Sequence, residues 1–306
     1  MVYLRPFGAF VLTGLLFAAT AYAEPRLPPA AAPSPVVVTP PRPAAPIDVA
    51  AEVAQLRSAL SEEVPHPIVD RPRAKQEWIA RTSAAIAASG LATDRPKLLV
   101  VVDRNPRVQQ MRLILADPQG EWDDLGGTKV STGQVGRYDY FLTPTGIFLH
   151  TDAILDWRAE GTFNAHHVRG LGESGMRVWD FGWQPALKGW RSARKVGRIR
   201  LLLHATDPDT LARRLGRAAS KGCIRIPEEM DVFLDRHGIL DANYEHAAQH
   251  NRRFQRVLLP DRIPSPLAGN MLVVTDSSPE PSPKARSSQQ RTSRSAENPP
   301  LPRLRL

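Results

Sequence analysis

Cys223 is the only cysteine of the chain, and it stands in the run Ser220-Lys221-Gly222-Cys223-Ile224-Arg225-Ile226. A thiol with no partner for an internal disulfide is a buried apolar filler, an intermolecular cross-link or a working nucleophile. Its neighbourhood fits the third. Small residues before it let backbone N–H groups approach a substrate. Upstream, His204 closes the apolar run Leu201-Leu202-Leu203. The nucleophilic form of cysteine is the thiolate, and a nearby base generates it. The chemistry open to such a pair is covalent catalysis.

Those two residues need elements that bring them together. Residues 198–204 read as a strand ending on His204. Asp207 then suits a helix N-cap, Pro208 suits the first helical position, Leu211 and Leu215 are i,i+4 partners, and Gly216 ends the helix. The chain returns through 217–222 to Cys223. A strand, helix and loop of this length can set the loop beside the strand end, with His204 and Cys223 facing each other as base and nucleophile. Further strands are predicted at 98–102 and 108–116, paired as a hairpin, and at 129–132, 146–150 and 256–259. A turn at Asp117-Pro118-Gln119-Gly120 follows the hairpin. A second helix begins at Pro227, carries Glu228 and Glu229 in its first turn, presents Met230, Phe233, Leu234 and His237 on one face, and closes at Gly238. Many strands and few helices predict a mostly-β domain over residues 96–262. Residues 49–95 read as a short helical prelude. Val53, Leu56 and Leu60 form one stripe. Trp78, Ile79 and Ile86 form another, closed by Gly90, and Pro65, Pro67 and Pro72 separate the two.

The ends set the context. Residues 1–23 read as a signal peptide, with Arg5 in its charged region, an apolar stretch at 10–19 and the cleavage pattern Ala21-Tyr22-Ala23. The expected location is the periplasm or cell wall, an oxidising setting in which structural cysteines usually come in pairs. Residues 24–48 are a Pro/Ala-rich linker, suited to an extended spacer. Residues 263–306, rich in Ser, Pro and Arg, are expected to be a disordered basic tail. The net charge is +9, which suits an anionic wall polymer or a membrane surface. Nucleic acid is an unsuitable partner outside the cytoplasm, and the chain carries no zinc-finger spacing, RRM motif or regular basic helix.

His204 followed by Ser220-x-Gly222-Cys223-Ile224-Arg225 resembles the signature of the L,D-transpeptidase (YkuD-type) catalytic domain. Val130-Ser131-Thr132-Gly133, followed by Thr143-Pro144-Thr145-Gly146-Ile147-Phe148, resembles that family's upstream segment. The likeness covers roughly residues 97–260. It implies a β-sandwich-like domain and a cysteine acyltransferase acting on peptidoglycan stem peptides, with no metal or organic cofactor. Cys223, deprotonated by His204, would attack a stem-peptide carbonyl, and the thioester would pass to an amine. The acceptor is another stem peptide or an amine-bearing wall-linked protein. The resemblance also assigns the Ala205 carbonyl to orienting the imidazole, the Gly222 and Cys223 N–H groups to an oxyanion hole, and Ser220 to shaping the loop. It assigns Arg225 to a substrate carboxylate. The chain departs from the family at Lys221, where a histidine is usual. A cation there would favour the thiolate. Two rivals stand beside this reading. One is a hydrolase of the same fold, with water as acceptor. The other is a non-catalytic wall-binding module.

Three other features are notable. Lys188, Arg191, Arg194, Lys195, Arg198 and Arg200 precede His204, and Arg213, Arg214 and Arg217 follow it. They form either a solvated face or an attractor for anionic peptides. His166-His167 lacks a third ligand at useful spacing, so no metal is expected. Trp157, Phe163, Trp179, Phe181, Trp183 and Trp190 lie in or around a Gly-rich stretch, and are either core or a lid or sugar-stacking wall over the cleft.

Overall fold

Apolar runs build two sheets, and one shared core lies between them. The computed structural model describes residues 47–91, 93–191 and 195–279. The expected signal peptide, nearly all of the linker and the far tail lie outside the described residues. The first sheet has the order β3-β2-β1-β9-β4 and the second β5-β6-β7-β8. The strands of the first are β1 (Lys97–Asp103), β2 (Gln110–Ala116), β3 (Asp123–Lys129), β4 (Gly146–Leu149) and β9 (Met271–Thr275). Those of the second are β5 (Trp157–Arg158), β6 (Arg177–Leu187), β7 (Val196–Ala205) and β8 (Ile224–Ile226).

Leu98, Val100 and Val102 of β1 point into the same apolar cluster as Leu201 and Leu203 of β7, Trp179 and Phe181 of β6, and Ile224 and Ile226 of β8. The intervening Leu99 and Val101 face the other way and pack with Trp78 and Ile86. Period-two alternation thus gives the first sheet two buried faces, one against the second sheet and one against a helix. That helix is α2 (Pro72–Ser89), begun by a proline at its first turn and ended by Gly90 at φ 71°. Before it, α1 (Val49–Glu63) is capped by the Asp48 carboxylate and buries Val53, Leu56 and Leu60 in the inter-sheet core. The prelude is therefore part of the same body of packing.

The expectation of a mostly-β domain over 96–262 holds for those residues, where strands outweigh helices, but not for the described residues as a whole. Helix and strand are about equally represented among the described residues, because α1 and α2 are joined by α3 (Glu228–Arg236), α4 (Ala242–Ala248) and α5 (Arg252–Val257). The fold is mixed α/β with two sheets. Of residues 256–259, expected as a strand, the first two close α5, which the Asn251 side chain caps and which buries Phe254 and Val257, and the other two follow it outside any strand. The helix expected from Asp207 is only turns with one 3-10 segment, Ala212–Arg214. Asp207 caps only the first turn, accepting from Thr210 N at 2.7 Å. Gly216 N then donates to Val130 O, and Ala219 N to Thr132 O, and these bonds pull the chain out of helical register. The strand expected at 129–132 lies earlier, as β3, and residues 130–133 continue as isolated bridges. The tail boundary at 262 is also displaced, since β9 lies inside the first sheet, parallel to β1 and antiparallel to β4. No helix among the described residues is long and apolar enough to cross a membrane.

Candidate active site

β7 has two faces with different fates. Leu201, Leu203 and Ala205 are fully buried, while Arg200, Leu202 and His204 point to the outer face. β8 runs parallel to β7 with Leu203 opposite Ile224 and His204 opposite Arg225. Cys223, one residue before β8, therefore emerges on the outer face with Arg225 and His204. Its S–H is directed at Arg200 O, 3.8 Å away. The thiol is half-buried and His204 is 2% exposed.

His204 Nδ1 lies 2.6 Å from Ala205 O. A carbonyl only accepts, so Nδ1 carries the proton of the neutral ring and Nε2 holds the free lone pair. Burial pushes the His204 pKa down to about 4, Arg225 adds to this by charge repulsion, and the bond to Ala205 opposes it. Burial pushes the Cys223 thiol up, while the Leu202 N–H and Arg225 work against that rise and Asp180 reinforces it. The resting pair near neutrality is thus a thiol and a neutral imidazole, not a thiolate and an imidazolium.

The loop before Cys223 is clamped on three sides. Ser220 Oγ donates to Cys223 O at 2.6 Å and accepts from Gly222 N at 3.0 Å. Ser131 exchanges two backbone bonds with Arg225, and Gln134 N donates to Ser220 O. Thr143 Oγ1 donates to Gly222 O at 2.7 Å and accepts from Gly133 N at 2.9 Å. The two upstream motif segments thus hold the cysteine loop directly. Gly222 is required here, since it sits at φ 137° and a Cβ would come within 2.9 Å of Ile199.

Two assignments are corrected by this geometry. The Gly222 N–H is engaged by Ser220 and is not free to hold an oxyanion. Lys221 does not support the sulfur. Its ammonium is 3.5 Å from the Asp139 carboxylate and lies over the Tyr140 ring, both belonging to the loop that flanks the cysteine. Arg225 is half-buried, and its Nε has no hydrogen-bond partner among the described residues. It is a donor beside the thiol with capacity for an anion.

The Asp180–Arg200 ion pair on this face has no signal in the residue spacing. The aromatics divide by burial. Trp179 and Phe181 are core, Trp157 and Trp190 are half-buried, and Trp183 and Phe163 are 60% and 54% exposed. Behind the site, His150, Asp156 and Asp241 place one ligand atom each within 4.8 Å of one another. The Arg177 guanidinium already fills that cluster, with Nη2 bonded to Asp156 Oδ2 at 2.9 Å and to Asp241 Oδ1 at 3.0 Å. An added cation would have to displace it, so the donor set suits a buried ion network and not a metal. His166 and His167 are exposed on the loop between β5 and β6. No family model matches the chain, and no curated protein is similar enough to count as a relative.

Proposed function

We propose that the protein is an exported cysteine acyltransferase of the L,D-transpeptidase type, acting on peptidoglycan stem peptides. The observation that carries this reading is the His204 Nδ1–Ala205 O bond, which leaves Nε2 as a base on the strand face from which Cys223 emerges. In the reaction, Nε2 takes the Sγ proton as sulfur bonds to the substrate carbonyl carbon. The tetrahedral intermediate collapses, its C–N bond breaks, and the imidazolium returns the proton to the departing amino group of the terminal residue. The thioester is then attacked by an acceptor amine, whose proton passes to Nε2, and the thiol is restored. Arg225, half-buried on the same face, would offer its guanidinium to a stem-peptide carboxylate. The β-sandwich-like transpeptidase fold, the location in the periplasm or cell wall and the basic contact with wall polymer belong to the same reading.

Tetrapeptide-bearing muropeptides incubated with purified protein test it, with products separated by mass. Cross-linked dimers are expected. Shortened monomers alone would replace transfer with hydrolysis, and unchanged material would remove the enzymatic reading.

A further inference from the structure

The outer face that carries Cys223 continues across β7 onto β6 and β5, and what stands there is not used by the reaction above. Arg200, whose backbone oxygen faces the thiol, is held by the buried Asp180 carboxylate. Its guanidinium lies 5.1 Å from the centre of the Trp157 ring. Opposite Arg200 on β6 is Trp183, 60% exposed.

Trp183 reaches this face through a break in the strand. Alternation along β6 places Val178 and Asp180 outward and Trp179 and Phe181 inward, and would send residue 183 inward as well. The pairing register instead shifts between Asp180 and Trp183. Gly182 at φ 74° makes the bulge, and its N–H is held at 2.8 Å by Asp180 Oδ1. One extra residue turns the indole out to solvent beside Arg200. Exposing the largest apolar side chain beside Arg200 forgoes its burial in the core. The same Asp180 both sets the bulge and fixes Arg200.

We propose that the outer face of β5, β6 and β7 is a saccharide-binding platform that holds the glycan to which the stem peptide is attached. Its biological setting rests on the acyl-transfer reading above. The Trp183 indole stacks on the apolar face of an N-acetylhexosamine ring. The Arg200 guanidinium, immobilised by Asp180 and Trp157, donates to ring hydroxyls or the acetamido oxygen. A flat apolar surface beside a fixed fork of donors matches a pyranose, which has C–H faces and a hydroxyl rim. An anion is a poorer fit, because Asp180 already neutralises Arg200.

The test uses the full chain and a peptide-free N-acetylglucosamine tetramer, with tryptophan fluorescence and the indole N–H resonances as readouts. Saturable binding is expected, weakened roughly tenfold by Trp183→Ala and largely retained by Trp183→Phe. Trp183 is exposed, so an unchanged melting temperature of both variants serves as the folding control. No saturable response of the unaltered protein, or equal affinity for Trp183→Ala, would overturn the platform. Binding requires no turnover. Failure of muropeptide transfer would therefore leave this result standing, and failure of sugar binding would leave the cysteine chemistry standing.

Discussion

His204 carries the most quantitative expectation. Its folded pKa of about 4 lies below the ordinary 6.5 because burial and Arg225 both disfavour the imidazolium. The unfolded chain therefore binds this proton more readily than the folded one, and acid favours unfolding. The stabilisation is present above pH 6.5 and is lost as pH falls through about 4. The difference in pKa corresponds to roughly 3 kcal/mol in total, of which about 2 kcal/mol is lost between pH 7 and pH 5. Urea denaturation at the two pH values, on the unaltered protein and on His204→Gln, isolates this contribution, since the glutamine has no such proton. If the neutral ring is the base, as proposed, the acid limb of kcat/KM is expected near pH 4. Two-bond nitrogen–proton correlation spectra follow the ring directly, and His204→Gln assigns its signal. Titration of His204 between pH 6 and 7, or equal pH sensitivity of the two proteins, would mean that burial does not depress this pKa.

Two further outcomes follow from the geometry. Lys221→Met is expected to leave the pH dependence of Cys223 alkylation unchanged, since the ammonium faces Asp139 and Tyr140. A raised alkylation pKa would show that Lys221 acts on the sulfur. Asp156→Asn is expected to destabilise the fold by about 3 kcal/mol in urea titration, because it takes a charge from the buried Arg177 and His150 network. A loss under about 1 kcal/mol would mean that the network relaxes around the change.

That the strand ending on His204 lies beside the segment leading from Cys223 was more legible in the sequence than the elements that frame it. His204 and Cys223 could be paired because an apolar strand ends on one and a short return leads to the other. The intervening helix was a misreading, because local propensity at Asp207, Pro208 and Leu211 was overridden by bonds from Gly216 and Ala219 to residues 130 and 132. β9 was hidden because Met271–Thr275 is a short run inside a Ser- and Pro-rich stretch, where average composition outweighs five residues. Trp183 was ambiguous because a bulge reverses its face, and strict alternation would bury it. Asp180 and Gly182 were the available signal, since an isolated glycine within an aromatic strand marks a bulge. The engagement of the Gly222 N–H by Ser220 and the turn of Lys221 toward Asp139 depend on side-chain directions that spacing does not encode.

The account stands on a thioester at Cys223, and that species can be weighed. Protein mixed with a stem tetrapeptide, acid-quenched within its first turnovers and read by intact and peptide mass spectrometry, should carry the tripeptide acyl mass on the segment containing Cys223. His204→Gln should accumulate it roughly 10²–10⁴-fold more slowly. Product formation without that adduct, or by Cys223→Ala, would contradict the account.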